Sequence, residues 1–324
     1  MAPPDSARKF LESQIARLRQ MPRRRRIVFP EGADPRVQEA AARLSADGLV
    51  DPILVGGAGG VDPASHSRTR EYARQYHDRR RSRGVTATEA ERAVLNPLVF
   101  AGSMVASGDA DGFVGGAATT TAETFRAAVQ TIGVADGVKT VSGVMIVCVH
   151  DPVFGAGGVL AFADPALIID PSATQLADIA IATAETTRRV IGAEPAVALL
   201  SFSTKGSASH PWVDKVREAR RIVEARAPEL HIDGELQADA ALVEAVGRSK
   251  APGSTVAGRA NTLIFPDVAS ANIGVKLVER LGGAVNTGPF FQGLAKPAND
   301  LPRGCLADEI YRVAIVTALQ GGER

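Results

Sequence analysis

Apolar positions along the chain alternate between helical and strand periods. SARKFLESQIARLRQM spaces its apolar residues as an amphipathic helix does, with no continuous apolar core. RRRRIVFPEG is a basic approach to a short buried strand ended by Pro30 and Gly32. DPRVQEAAARLSADG then predicts a helix: Asp34 can cap it, Pro35 takes its first position and Gly48 stops it. DPILVGG is the next strand and turn, so the chain opens in the βαβ rhythm of a parallel sheet. Residues 64–94 are charged and helical, with VTATEAERAV opening a helix. DADGFVGGAATTTAETFRAAVQTIG reads as strand, small-residue loop, and helix from about Thr121; VKTVSGVMIVCVHDP is β-rich. GVLAFADPALIIDPSATQLADIAIATAETTRRVIG predicts two short strands and a long helix starting near Ser172 or Ala173. AVALLSFSTKGSASHPWVDKVREARRIVEAR repeats strand, Ser/Thr/Gly loop, helix. HIDGELQADAALVEAVGRSK, NTLIFPDVASANIGVKLVERLGG and NTGPFFQG each carry a strand tip rich in Gly, Asn or Asp, and no fixed-period repeat stands out.

Composition narrows this picture. At 324 residues the chain is long for one core, and two domains are the natural expectation. With 45% hydrophobic and 23% charged residues it is an ordinary globular composition. A net charge of +1 gives no case for nucleic acid or a membrane surface as partner, and 5% aromatics argue against stacking on single strands. Cys148 and Cys305 form no metal-spaced set and suit a reducing compartment. No run is long and charge-free enough to span a bilayer, and the N-terminus is no secretory signal, so a cytoplasmic protein is expected.

An alternating βα chain carries ligand loops at the carboxyl ends of its strands, and GGAATTTAE, SFSTKGSAS, FPDVASANIG and NDLPRG are all of that kind. SFSTKGS lacks the full phosphate-loop spacing, no GxGxxG follows a strand, and the five histidines are scattered, so neither a dinucleotide nor a zinc site is expected. NDLPRGCLADEI concentrates polar chemistry near the C-terminus. The apolar YRVAIVTALQ after it predicts a closing helix with Asp308 and Glu309 in its first turn, and Arg303 in the loop before that helix, where anions are favoured. The same residues also suit a proline-punctuated turn before a solvated capping helix, and spacing leaves both readings open.

Taken together the stretches RIVFPEGADPRVQEAA, ADGFVGGAATTTAETFRAAVQ, DPSATQLADIAIATAET, VALLSFSTKGSASHPWVDKVREA, APELHIDGELQADAAL, KAPGSTVAGRANTLIFPDVASANIGVKLVERLGGA and GPFFQGLAKPANDLPRGC resemble the phosphate acetyltransferase (phosphotransacetylase) family, within the phosphate acetyl/butyryl transferases. They run in family order from residue 26 to the end. The resemblance implies two α/β domains with a cleft between them, similar to isocitrate and isopropylmalate dehydrogenases. The first domain would comprise 1–148 plus 293–324, and the inserted second domain, 149–292, would form a homodimer. It implies exchange of an acetyl group between CoA and phosphate, with acetyl phosphate as the other acyl partner, no cofactor and no metal.

By the same resemblance Arg303 anchors phosphate and carbonyl, Glu309 stands where the family has its catalytic aspartate, and Asp308 is a fallback base. Asn299, Asp300 and Gly304 would line the acyl end. Ser203, Thr204, Lys205, Gly206 and Ser207 would take phosphate or the CoA pyrophosphate, with Thr120 and Thr121 opposite. Cys305 as nucleophile lacks a histidine in its own segment, and Cys148 lies in an apolar run. Four positions depart from the family: Pro302 for serine, Glu309 for aspartate, Thr119 for histidine, and Pro165 where cysteine often follows FAD. Proline has neither hydroxyl nor N–H to offer substrate. An acyl-CoA-binding regulatory paralogue, or a transferase of propionyl or butyryl groups, are the alternatives these departures leave.

Overall fold

The computed structural model describes residues 2–321. Along the chain, α1 (Asp5–Arg19) leads to β1 (Arg25–Phe29), α2 (Pro35–Ala46) and β2 (Val50–Leu54). Helices α3 (Thr69–Arg80), α4 (Ala87–Ala93) and α5 (Pro97–Ser107) precede β3 (Gly112–Gly115) and α6 (Thr121–Thr131). Next come β4 (Ser142–Cys148), β5 (Val159–Ala163) and α7 (Ala173–Thr186), which runs into a π-helical turn at Thr187–Ile191. The chain continues through β6 (Val197–Leu200), α8 (Pro211–Arg226), β7 (Ile232–Leu236), α9 (Ala238–Leu242) and α10 (Glu244–Lys250). It closes with β8 (Thr262–Ile264), α11 (Val268–Gly282), β9 (Val285–Gln292), β10 (Ala298–Asp300) and α12 (Ala307–Gln320). Among the described residues no helix is long and apolar enough to cross a membrane.

Two compact α/β units result, one of Ser13–Gly137 with Leu294–Arg324 and the other of Met1–Glu12 with Val138–Gly293. The division after Gly137 falls earlier than the expected 148, and the first residues group with the inserted segment. Ser6 on α1 shows why, since its hydroxyl donates to the Val149 carbonyl at 2.6 Å.

In the unit holding the C-terminus the strands run β2-β1-β3-β10, all parallel. Ile27, Val28, Phe29 and Phe113 on its strands are buried with Leu44, Tyr72, Phe100 and Ile310 on its helices. Asp34 caps α2 by accepting from the Arg36 N–H at 2.9 Å, with Pro35 at the first position as expected. Helix α5 has little polar face to betray it: seven of its eleven residues, among them Phe100, Met104 and Val105, are buried.

In the other unit the order is β9-β4-β5-β8-β6-β7. Strands β5, β8, β6 and β7 are parallel, but β4 runs antiparallel to both β5 and β9. The uniform βαβ rhythm expected from the sequence breaks here because no helix joins β4 to β5, and a short connection can only return the chain antiparallel. The second short strand expected in ALIID is a loop. Asp164 accepts the N–H groups of Ala166, Leu167 and Ile168 at 2.9, 3.0 and 3.0 Å, which curls the backbone away from a ladder.

Candidate active site

Because β1, β3 and β10 are parallel, their carboxyl ends lie along one edge of their sheet. That edge presents Glu31 after β1, residues 116–121 after β3, and Asp300 to Arg303 at the end of β10. The Gly-rich loop after β3 is built as an anion nest, and an internal carboxylate fills it. Glu31 accepts the N–H groups of Ala117, Ala118 and Thr119 at 2.8, 2.9 and 3.1 Å and the Thr119 hydroxyl at 3.0 Å. Gly116 makes the turn possible at φ +107°: a Cβ there would lie 2.3 Å from Asp300 Oδ1 and 2.7 Å from the Leu301 carbonyl.

Thr120 is the N-cap of α6. Its hydroxyl accepts from the Glu123 N–H at 3.2 Å, while Glu123 Oε2 accepts from the Thr120 N–H at 2.9 Å. Thr121 is free of that duty, and its hydroxyl donates to Asp300 Oδ2 at 2.5 Å. Side chains alternate along β10. Asn299 accordingly points the other way and donates to Thr317 Oγ1 at 2.8 Å and Gln320 Oε1 at 2.6 Å on α12. Asn299, expected at the substrate, thus has its amide taken up in fastening the closing helix.

Asp300 is 1% exposed, and among the described residues its Oδ1 makes no hydrogen bond of ordinary geometry. Burial pushes its carboxyl up to about 6, and the like charge of Glu31 acts in the same sense; Thr121, Thr124 and the Leu301 amide pull against them.

The turn after β10 is closed by the Cys305 N–H on the Pro302 carbonyl at 2.9 Å, a bond that needs nothing proline lacks. Arg36 holds this turn. Its Nη1 donates to the carbonyls of Arg303 and Cys305 at 3.2 and 2.9 Å, and its Nη2 to that of Ala117 at 2.9 Å. The Arg303 side chain is exposed, and none of the hydrogen bonds or ion pairs of the described residues engages its guanidinium. Gly304 beside it is open, with nothing near the place of a Cβ. Both acids at the start of α12 have structural partners. Glu309 Oε2 accepts the Leu306 N–H at 2.7 Å, and Asp308 pairs with Arg43, which holds its carboxyl below the ordinary range. Cys305 is buried, and burial pushes its thiol up to about 11, the state of a packed thiol and not of a nucleophile.

The Ser203–Ser207 loop belongs to the other unit and follows β6. Its anion position is also occupied from within. Glu235, on neighbouring β7, accepts from Ser203 Oγ at 2.9 Å and from the Gly206 N–H at 2.8 Å, and takes a two-pronged pair with Arg217 at 3.0 Å on each oxygen. Burial works to raise this carboxyl, but Arg217, Gly206 and Ser203 outweigh it and hold it down at about 2. Lys205, at φ +47°, pairs with Asp233, which also meets Arg220 at 3.1 Å. Thr204 Oγ1 accepts the Gln237 N–H at 2.9 Å, and Ser207 Oγ accepts the Thr204 N–H at 3.0 Å. A phosphate expected at this loop would meet a carboxylate already in place.

Residues 10–318 match the family described as phosphate acetyl/butaryl transferase. The chain belongs to that family. A phosphate acetyltransferase of Paracoccus denitrificans is 48% identical over 301 residues, covering 91% of this chain and 95% of the relative. A solved phosphotransacetylase from Streptococcus pyogenes superposes with a TM-score of 0.90 at 40% identity, covering 98% of this chain and 99% of that one. A 4-hydroxythreonine-4-phosphate dehydrogenase from Salmonella typhimurium, at 12% identity and a TM-score of 0.52 over 92% of this chain and 99% of its own, shares the fold alone.

Three residues not foreseen from the sequence hold these loops: Glu31 and Glu235, which fill the two nests, and Arg36, which pins the Arg303 turn. The available signal was a carboxylate at a strand end facing a Gly/Ser/Thr loop, in FPEG and DGEL.

Proposed function

We propose that the chain is a phosphate acetyltransferase that interconverts acetyl-CoA plus phosphate with acetyl phosphate plus CoA. The observation that carries this is the likeness to a phosphate acetyltransferase along nearly the whole of both chains. In this reading Arg303 is the anion anchor. Its guanidinium is exposed, engaged by no hydrogen bond or ion pair of the described residues, and fork-shaped for a phosphate or an acyl phosphate. Its backbone is held by Arg36, so the anchor stands on a fixed turn. The transfer is a direct attack on the acyl carbon with no metal or cofactor. Pro302 leaves the turn itself closed, because the turn needs only its carbonyl.

Helix α11 supports a homodimer: Ile273, Leu277 and Leu281 form an exposed apolar stripe, 58%, 52% and 77% exposed, at one-turn spacing. Light scattering is expected to give the mass of two chains. Both cysteines are buried and neither is in a disulfide, as suits the cytoplasm.

The test is thioester formation from acetyl phosphate and CoA by purified protein. Arg303→Ala is expected to lower kcat/KM by roughly a hundredfold or more, as loss of a charged anchor does. Pro302→Ser is expected to stay within about tenfold of the parent, the worth of one hydrogen bond. Tight acyl-CoA binding without turnover would overturn the reading and put a regulatory binding protein in its place.

A further inference from the structure

The inference here deepens the acetyl-transfer reading and rests on it. The turn that carries the anion anchor is lightly held. Pro302, Arg303 and Gly304 are exposed between buried Leu301 and Cys305, and nothing stands near the place of a Gly304 Cβ. Among the described residues, two sets of hydrogen bonds hold this turn. The Cys305 N–H on the Pro302 carbonyl closes it on itself. The Arg36 guanidinium, on the carbonyls of Arg303 and Cys305, ties it to the start of α2.

A guanidinium has five N–H donors, one on Nε and two on each Nη. In Arg36 each has an acceptor. Nε donates to Asp34 Oδ1 at 3.1 Å, and Nη2 to Asp34 Oδ2 at 2.7 Å and to the Ala117 carbonyl at 2.9 Å. Nη1 donates to the carbonyls of Arg303 and Cys305 at 3.2 and 2.9 Å. No donor is left over for a substrate, so Arg36 can serve the reaction only through what it holds. We propose that Arg36 is a positioning residue of acetyl transfer that acts through Arg303. It sets where the backbone of the anion anchor stands relative to the loop after β3.

Three features fit Arg36 to this work. Its partners come from the loops after β1, after β3 and before α12, so one side chain fixes three segments that meet at the carboxyl edge of the sheet. The guanidinium is itself aimed by Asp34, whose carboxylate grips it on two nitrogens while capping α2 through the Arg36 N–H at 2.9 Å, with Pro35 stiffening the chain between them. The planar fork is also what the task needs. A lysine ammonium offers three donors from a single nitrogen and cannot span a carboxylate on one side and three carbonyls on the others. An anchor whose backbone drifts by about 1 Å presents acetyl phosphate off line, a displacement that costs about a hundredfold in rate.

The experiment is kcat and KM for acetyl phosphate in the parent, Arg36→Ala, Arg36→Lys, Asp34→Asn, Arg303→Ala and the double variant Arg36→Ala/Arg303→Ala, each checked by circular dichroism to be folded at the assay temperature. Arg36→Ala is expected to lower kcat/KM about a hundredfold, with a raised KM for acetyl phosphate as part of the loss. Arg36→Lys should fall nearly as far, since the fork and not the charge holds the turn. Millimolar guanidinium, far below denaturing levels, should restore part of the Arg36→Ala activity, and methylammonium should not. Asp34→Asn keeps an equally good cap on α2 and should lose about tenfold through a less firmly aimed guanidinium. The double variant should fall no further than Arg303→Ala alone, because Arg36 has nothing to position once the anchor is gone. A merely structural arginine would leave KM for acetyl phosphate unmoved, and its loss would multiply with that of Arg303→Ala. Either of those results, or an Arg36→Lys within about threefold of the parent, would overturn the positioning role and leave acetyl transfer standing. An inactive parent would overturn acetyl transfer itself, and the role of Arg36 with it. Should Arg36→Ala fail to fold, Arg36→Lys and Asp34→Asn carry the test.

Discussion

Replacing Glu235 by glutamine probes the nest that its loop was expected to offer to phosphate. The carboxylate has 3% of its side chain exposed, two bonds to Arg217 and one each to Ser203 and the Gly206 N–H. Folding moves its carboxyl from an ordinary 4.5 to about 2. At about 1.4 kcal/mol per pKa step, that difference would be worth roughly 3 kcal/mol as an upper limit. Arg217 is 31% exposed, so water screens part of the pair, and about 2 kcal/mol is the figure expected for Glu235→Gln at pH 7. The sign follows from linkage. A group whose pKa is depressed by folding stabilises above its unfolded value and loses that contribution as pH falls through the folded one. The gap between parent and variant should therefore be full at pH 7, begin to close below about 4.5, and vanish near 2. Urea denaturation followed by circular dichroism at neutral pH and at several acid values measures it. A gap below about 0.5 kcal/mol at neutral pH, or one that stays constant down to the acid end, would refute the assignment of Glu235 as the internal anion of this loop.

Two further outcomes follow from the same geometry. Gly116→Ala places a methyl 2.3 Å from Asp300 Oδ1 at φ +107°, so urea denaturation should show a loss of about 3 kcal/mol or more; a loss under 1 would mean the loop has another way round. Cys148 and Cys305 are both buried, and Cys305 is pushed up to about 11, so iodoacetamide near pH 8 should label neither in the folded protein and both in urea; labelling of folded Cys305 would show an exposed thiolate.

Much of this protein was written locally. Asp34 and Pro35 at the start of α2, the Thr120–Glu123 pair at α6 and the Ser172–Gln175 pair at α7 are closed by bonds spanning two or three residues, so four letters determine each of them. The placement of Asp308 and Glu309 in the first turn of α12, and the order of motifs that marks the family, were legible for the same reason. What only the tertiary structure decided involves partners distant along the chain. Glu31 fills a nest 86 to 88 residues away, and Arg36 fixes a turn 267 to 269 residues away. Helix α5 is apolar nearly all round, and the reversal of β4 depends on which strands flank it. In NDLPRG the sequence names an asparagine and an aspartate side by side. Only strand pairing sends the first to α12 and the second to Thr121, because neighbours on a strand face opposite sides of the sheet. A Gly/Ser/Thr loop announces that it will bind an anion, since its N–H groups need one. Whether that anion is a ligand or the protein's own glutamate depends on which side chain the fold brings to it.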